Sequence, residues 1–267
     1  MNQQSKVAVI GAGVMGEALI SALISYGVKA DLITITEKRD ERATELVEKY
    51  GIKVASLTAN VASADALLLV VKLQDMGAVL EEIKGSINTA AVVITFAAGK
   101  TISFISNGLG TNNPVVRVMP NTPTLVGAGM AAASMGVGVS AAQRSFVLGF
   151  LGATGKVIEV AEDLQDAVTA TSGTGPAYFF AFVEAMVAGA KELGLSEVDA
   201  TTLTVQTIVG AAKLLNESGK SATTLRENVT SPNGTTAAAL ATLGAGDMNS
   251  LVAKAMKAAR DRSQELA

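Results

Sequence analysis

The chain has 267 residues, of which 49% are hydrophobic and only 17% charged, and its net charge is −3. It contains neither cysteine nor histidine. That excludes disulfides, thiolate nucleophiles, zinc held by the usual ligands and an imidazole acid/base. The charge balance gives no footprint for nucleic acid, and so little charge on so apolar a chain predicts a surface partly covered by another subunit.

The first elements alternate in type. "KVAVIGAG" is a short apolar run ending in glycine, and the N-terminus enters it without the layout of a signal peptide. "EALISALISYG" has helical spacing and stops at Gly27, "DLITITE" reads as a strand, and "RATELVEKYG" is an amphipathic helix closed by Gly51. "ALLLVV" (66–71) and "AVVITFAAG" (91–99) are unbroken apolar runs that suit parallel strands buried on both faces. "VVRVM" and "GKVIEV" follow as later strands. This rhythm predicts an α/β Rossmann domain with a doubly wound, mainly parallel sheet over 1–161.

From residue 162 to 267 no strand is legible, and an all-α domain is expected. "LQDAVTATSGTGPAYFFAFVEAMVAGAKELG" reads as a helix, a glycine-rich break and a long helix, the break being structural. "DATTLTVQTIVGAAKLLNESG" is apolar around most of its circumference, so it must be buried on most sides. Interlocking with a second copy is the simplest way to bury it. The most apolar stretch, 177–190, is interrupted by Glu184 and is too short to span a bilayer. A cytoplasmic protein with no membrane partner is expected.

"IGAGVMG" places Gly11, Gly13 and Gly16 in G-x-G-x-x-G spacing after a strand and at a helix start, so Gly11, Ala12, Gly13, Val14, Met15 and Gly16 form the expected pyrophosphate turn. Glu37, at the end of the second strand, suits the ribose hydroxyls of NAD, whereas Lys38 and Arg39 suit the extra phosphate of NADP. The pair of cations tips the expectation to NADPH, with NADH the alternative. Lys72, after Val71, and Ala97–Ala98–Gly99 finish two buried runs where ligands bind beyond strand ends. "VMPNTP" forms a rigid corner on which Asn121 either braces the fold or faces the cleft. No clustered carboxylates suggest a metal.

"VTSPNGTTAAAL" (229–240) is a turn followed by an alanine-rich helix. Ser231 can cap that helix, Gly234 clears the approach, and the amides of Asn233, Gly234, Thr235 and Thr236 lie at its positive end. A small carboxylate can be bound there without arginine.

With "IGAG", "MPNTP", "SGTGPAY" and "VTSPNGTT" in this order, nearly the whole chain resembles the pyrroline-5-carboxylate reductases. The resemblance implies a Rossmann domain, a helical domain that interlocks into dimers and assembles further into decamers, and reduction of 1-pyrroline-5-carboxylate to proline by NADPH or NADH. It implies cofactor contacts at Gly11–Gly16, Glu37–Arg39, Val71, Lys72 and Ala97–Gly99, and substrate contacts at Ser231, Gly234, Thr235 and Thr236. Asn228 and Glu162 would be secondary members of the site, Thr236 orienting the ring nitrogen and Glu162 stabilising its positive charge. The chain departs from the family pattern at Leu73, where proline is usual, at Asn233, where glycine is usual, and at Phe96 and Lys100 beside "AAG". Asn60 is out of step with the family's ribose-contacting asparagine. Rival readings are a β-hydroxyacid reductase, which calls for a lysine early in the helix after Gly175, another imine reductase, and a non-catalytic nucleotide-sensing dimer.

Overall fold

The computed structural model describes residues 1–266. The chain forms β1 (Val7–Ile10), α1 (Val14–Tyr26), β2 (Ile33–Thr36), α2 (Asp40–Tyr50), β3 (Lys53–Val54), α3 (Leu57–Ser63), β4 (Ala66–Leu69), α4 (Met76–Ile83), β5 (Val92–Thr95), α5 (Ile102–Leu109) and β6 (Val115–Met119). Then come β7 (Gly129–Met135), α6 (Ala141–Gly152), β8 (Gly155–Glu159), α7 (Gln165–Val168), α8 (Gly175–Glu192), α9 (Glu197–Glu217), α10 (Ala222–Asn228), α11 (Thr235–Ala245) and α12 (Met248–Glu265).

The eight strands form one sheet in the order β3-β2-β1-β4-β5-β6-β7-β8. Strands β1 to β6 are parallel, and β7 turns back antiparallel to β6. The first six give the doubly wound dinucleotide-binding order. Every residue of β1, β4, β5 and β6 is buried, which explains why these strands read as apolar runs without alternation. Alternate side chains feed two cores. Val9, Leu68, Ile94 and Val116 pack with α1, α2 and α6, whereas Ile10, Leu69, Val93 and Val115 pack with α3, α4 and α5. Gly27 and Gly51 end α1 and α2 in left-handed geometry, at φ 104° and 69°, as their positions predicted.

Compactness divides the chain differently from the boundary expected at 161. One unit holds Met1–Pro176 together with the residues from Ala259 on, and the other is Ala177–Ala258. The segment after 161 is built onto the sheet: Gln165 is fully buried, and its Nε2 donates to Ser134 Oγ at 2.8 Å and to Ala132 O at 3.2 Å. The expected glycine-rich break is not one either. Thr169–Gly173 is a π-helical turn between α7 and α8, with Thr174 N donating to Thr169 O at 2.9 Å. Small side chains permit the wider turn, since a Cβ on Gly173 would fall 3.0 Å from Met119 Sδ.

The second unit has almost no interior of its own. Helix α9 buries only Ala200 and Thr204, and α11 buries nothing. Phe179, Phe180, Leu203, Val209 and Leu251 are each more than half exposed. Among the described residues, no helix is long and apolar enough to cross a membrane.

In the first core, Phe146 is fully buried and meets Tyr26 edge-to-face, with ring centroids 5.9 Å apart. Phe146→Ala is expected to cost about 3–5 kcal/mol, read as a lower urea midpoint with an unchanged slope; a loss below about 1 kcal/mol would contradict this packing.

Candidate functional site

The carboxyl ends of β1, β2, β4 and β5 lie side by side. Gly11 N donates to Thr36 O at 2.9 Å, Val70 N to Ile10 O at 2.9 Å, and Phe96 N to Leu69 O at 3.1 Å. The turn after β1 admits no side chains at its crossings. Gly11 has φ +90°, and a Cβ there would fall 2.8 Å from Val70 O; one on Gly16 would fall 2.3 Å from Gly11 O. By contrast, nothing lies within 4 Å of where a Gly13 Cβ would be. Gly13 is the N-cap of α1 and no side chain closes that helix start. The amides of Val14, Met15 and Gly16 therefore face an open space at the positive end of a helix, which fits a pyrophosphate.

Two side chains fix the peptide groups of this turn. Ala12 N donates to Glu37 Oε2 at 3.0 Å, and Arg42 Nε donates to Ala12 O at 3.1 Å. Glu37 Oε1 accepts from Arg39 N at 3.1 Å and from Arg39 Nε at 3.0 Å. Partial burial opposes charge on Glu37, but the hydrogen bonds from the Arg39 side chain and from the Ala12 and Arg39 amides outweigh it, and the carboxyl titrates below its ordinary range. The Arg39 side chain is 64% exposed, and Lys38 is also exposed. Arg42 is anchored in turn by Glu45 at 2.7 Å and by Glu17. Glu17 also accepts from Lys49 Nζ at 2.7 Å and from Tyr50 OH at 3.0 Å. The Lys49 bond, helped by Arg42 and Tyr50 against the cost of burial, brings the Glu17 pKa down to about 2.

Val71 and exposed Lys72 follow β4, and Ala97, Ala98 and Gly99 follow β5, on the same edge as the glycine turn. Asn60, in α3, braces β2 instead: its Nδ2 donates to Thr34 O and Thr36 Oγ1, both at 3.1 Å. Two expected site residues also make structural hydrogen bonds. Asn121 is buried, accepts from Met130 N at 2.8 Å and donates to Ser172 O at 3.1 Å, so it braces the corner after β6. Glu162 Oε1 accepts from Ile102 N at 2.6 Å, at the start of α5, and lies 3.7 Å from Arg117 Nη1. Glu162 thus braces the start of α5, and its side chain is still 34% exposed. Arg117, Asp166, Arg42 and Glu17 were not singled out by sequence. The one available signal was an arginine inside "VVRVM", since a charge in a buried strand requires a buried partner.

In the second unit, Asn228 ends α10 and is exposed. The turn after it differs from expectation in its cap. Gly234, not Ser231, is the N-cap of α11, and no side chain closes the helix start. Ser231 contributes its carbonyl, accepting from Gly234 N at 3.0 Å. Asn233 holds φ 58°, the left-handed conformation that asparagine tolerates in place of glycine. A Cβ on Gly234 would press to 3.1 Å from Ser231 O. The first helical hydrogen bond runs from Ala238 N to Gly234 O, so the amides of Thr235, Thr236 and Ala237 precede the helical ladder.

The strand order, the glycine turn at the open start of α1 and the carboxyl edge of small residues fit the dinucleotide-binding domain of an oxidoreductase. The chain belongs to the pyrroline-5-carboxylate reductase family. It is 42% identical over 264 residues to the pyrroline-5-carboxylate reductase of Corynebacterium melassecola, covering 97% of this chain and 98% of that one. With the enzyme of that name from Pseudomonas aeruginosa the identity is 39% over 264 residues, covering 98% and 97%. The pyrroline-5-carboxylate reductase structure from Coxiella burnetii is similar at a TM-score of 0.91 and 35% identity over 99% of each chain. The Plasmodium falciparum pyrroline carboxylate reductase, solved with NADP bound, gives 0.89 at 27% identity over 100% of this chain and 99% of that one. Residues 162–266 match the family described as pyrroline-5-carboxylate reductase dimerisation, and residues 6–99 match NADP oxidoreductase, coenzyme F420-dependent. The dimerisation match begins where the sequence changes rhythm, although compactness changes only at Pro176.

The Glu17 cluster carries a pH signature. Its folded pKa of about 2 lies below the ordinary 4.5, so its stabilisation is complete above 4.5 and is lost as pH falls toward 2. Between those limits, thermal scans of Glu17→Gln should show a shallower acid decline than the wild type; parallel curves would show that this carboxylate does not contribute.

Proposed function

We propose that the chain reduces 1-pyrroline-5-carboxylate to L-proline, the last step of proline biosynthesis, at the expense of a reduced nicotinamide dinucleotide. The bare start of α11 carries the substrate half of this reading. Amides of Thr235 and Thr236 receive the carboxylate, and each such charge-assisted bond contributes about 1.5–3 kcal/mol. Thr236 also offers a hydroxyl to the ring nitrogen.

Gly11–Gly16 hold the pyrophosphate, Glu37 takes the adenosine ribose, and Val71, Lys72 and Ala97–Gly99 line the cofactor further along the edge. Asn228 lies near the substrate turn in sequence and joins this set. The bound dinucleotide supplies a hydride. The C=N bond takes that hydride at carbon and a proton at nitrogen, and a protonated imine is already electrophilic, so no histidine is required. The protein's task is alignment, with reacting carbons brought to about 3–3.5 Å. Alcohol chemistry is disfavoured by α8, whose first lysine, Lys191, comes one residue before its end and pairs with Glu197 at 2.9 Å.

Glu37 bears on the choice of dinucleotide. Its ionised carboxylate sits on Ala12 N and keeps Arg39 as its own partner, an arrangement that accepts ribose hydroxyls and repels a 2′-phosphate. This favours NADH, against the lean to NADPH drawn from Lys38 and Arg39. The exposed apolar faces of α8, α9 and α12 support an interlocked homodimer as the working unit, and the composition supports a cytoplasmic setting.

The direct assay is oxidation of NADH or NADPH on addition of pyrroline-5-carboxylate; no consumption of either would refute the reading. Thr236→Ala keeps the backbone amide and removes the hydroxyl, so it should lower kcat/KM for pyrroline-5-carboxylate by roughly ten- to a hundredfold, the loss of one hydrogen bond to a charged group, with dinucleotide binding nearly unchanged. Equal losses in both would remove Thr236 from the substrate site. Glu37→Ser should raise the NADPH-to-NADH ratio of kcat/KM by roughly tenfold or more, about 1.4 kcal/mol; an unmoved ratio would show that Glu37 does not select.

A further inference from the structure

The last turns of α12 return to the first unit and close on the Ala97–Gly99 turn. Gly99 has φ +74°, and a Cβ there would fall 2.8 Å from Leu266 Cβ and 2.9 Å from Ser263 O. The close approach is anchored from below. Ser263 is the one buried residue of α12, and its hydroxyl donates to Asp166 Oδ1 at 2.8 Å. The same oxygen accepts from Arg117 Nη2 at 3.1 Å, and the Arg117 side chain is only 4% exposed. Arg117 belongs to β6, the neighbour of β5, so its position is fixed by the sheet.

We infer that Ser263, held by Asp166 and Arg117, is a positioning residue for the dinucleotide: it seats the end of α12 against Gly99 and so sets the shape of the cofactor edge after β5. The inference rests on the reading of Ala97–Gly99 as a cofactor contact. The physical case is steric as well as polar. The turn has no side chain at Gly99 to hold it from within, and Lys100 N reaches Ala97 O only at 3.4 Å, so the turn is weakly closed by itself. Backbone from residues 263–266 packs where a Cβ would be and supplies the missing wall. Ser263 suits this role because its short side chain lets α12 come close while still donating to the partly buried Asp166.

The test compares wild type with Ser263→Ala in the full chain. Fluorescence titration gives Kd for NADH and NADPH, steady-state kinetics gives KM for pyrroline-5-carboxylate, and hydrogen exchange follows residues 97–101. Loss of the hydroxyl should weaken the better dinucleotide roughly three- to tenfold, the worth of one buried hydrogen bond. Exchange over 97–101 should quicken, and KM for pyrroline-5-carboxylate should stay within about twofold, the dinucleotide site alone having lost its bond. Asp166→Asn, which keeps an oxygen acceptor for Ser263, should perturb Kd less than Ser263→Ala does. A wild-type Kd in Ser263→Ala, whatever happens to its melting temperature, would reduce the contact to a structural one and overturn the inference. If the wild type binds a dinucleotide without turning over pyrroline-5-carboxylate, the functional reading falls and the Kd comparison still decides this one. A wild type that binds neither dinucleotide overturns both.

Discussion

Backbone amides left without partners at two helix starts are the constraint on which the rest of this protein depends. Four helices, α5, α6, α9 and α10, are closed by the hydroxyls of Thr101, Ser140, Ser196 and Ser221. Helices α2, α3, α4 and α7 have no side-chain cap either, but their N-caps are Arg39, Ser56, Asp75 and Leu164, whereas α1 and α11 begin on Gly13 and Gly234. A glycine cap gives up only about a few tenths of a kcal/mol relative to a hydroxyl cap. In exchange it leaves donors pointing outward and no Cβ in front of them. One helix start thus suits a pyrophosphate and the other a small carboxylate, both without an arginine or a metal.

The surroundings keep these donors fixed. Ala12 is held at its N–H by Glu37 and at its carbonyl by Arg42, and Arg42 is held by Glu17 and Glu45. The Glu17 pKa of about 2 shows how strongly this cluster favours the charged form. The turn is therefore set before any ligand arrives, which is the condition for electrostatic preorganisation. At the other end of the edge, Arg117 and Asp166 join β6 to α7 and to the end of α12. Reduction of a cyclic imine suits such a scaffold because it asks for alignment and charge placement and little proton transfer. A chain without histidine can carry it out.

Much of this was legible in the sequence because the relevant signals are local. The apolar runs of β1, β4 and β5, the stops at Gly27 and Gly51, and the glycine spacing at 11, 13 and 16 each depend on a few neighbouring residues. Asn233 was readable as a left-handed substitute for glycine for the same reason. What was missed depends on distant partners or on weak local preference. Strand β7 is "GMAAASM", without β-branched residues, and forms because β6 and β8 flank it. The π-helical turn at Thr169–Gly173 looked like a break because its glycine and small polar residues fit either outcome. The bracing bonds of Asn121 and Glu162 likewise depend on distant partners, from Ile102 to Ser172. The return of α12 to Gly99 has no sequence signature at all, since it joins residues more than 160 positions apart.

The central claim is most directly tested by a crystal structure of the chain with L-proline bound. The account predicts carboxylate oxygens within about 2.7–3.2 Å of the Thr235 and Thr236 amides, at the start of α11. Proline bound elsewhere, with that helix start packed shut or holding nothing, would contradict it.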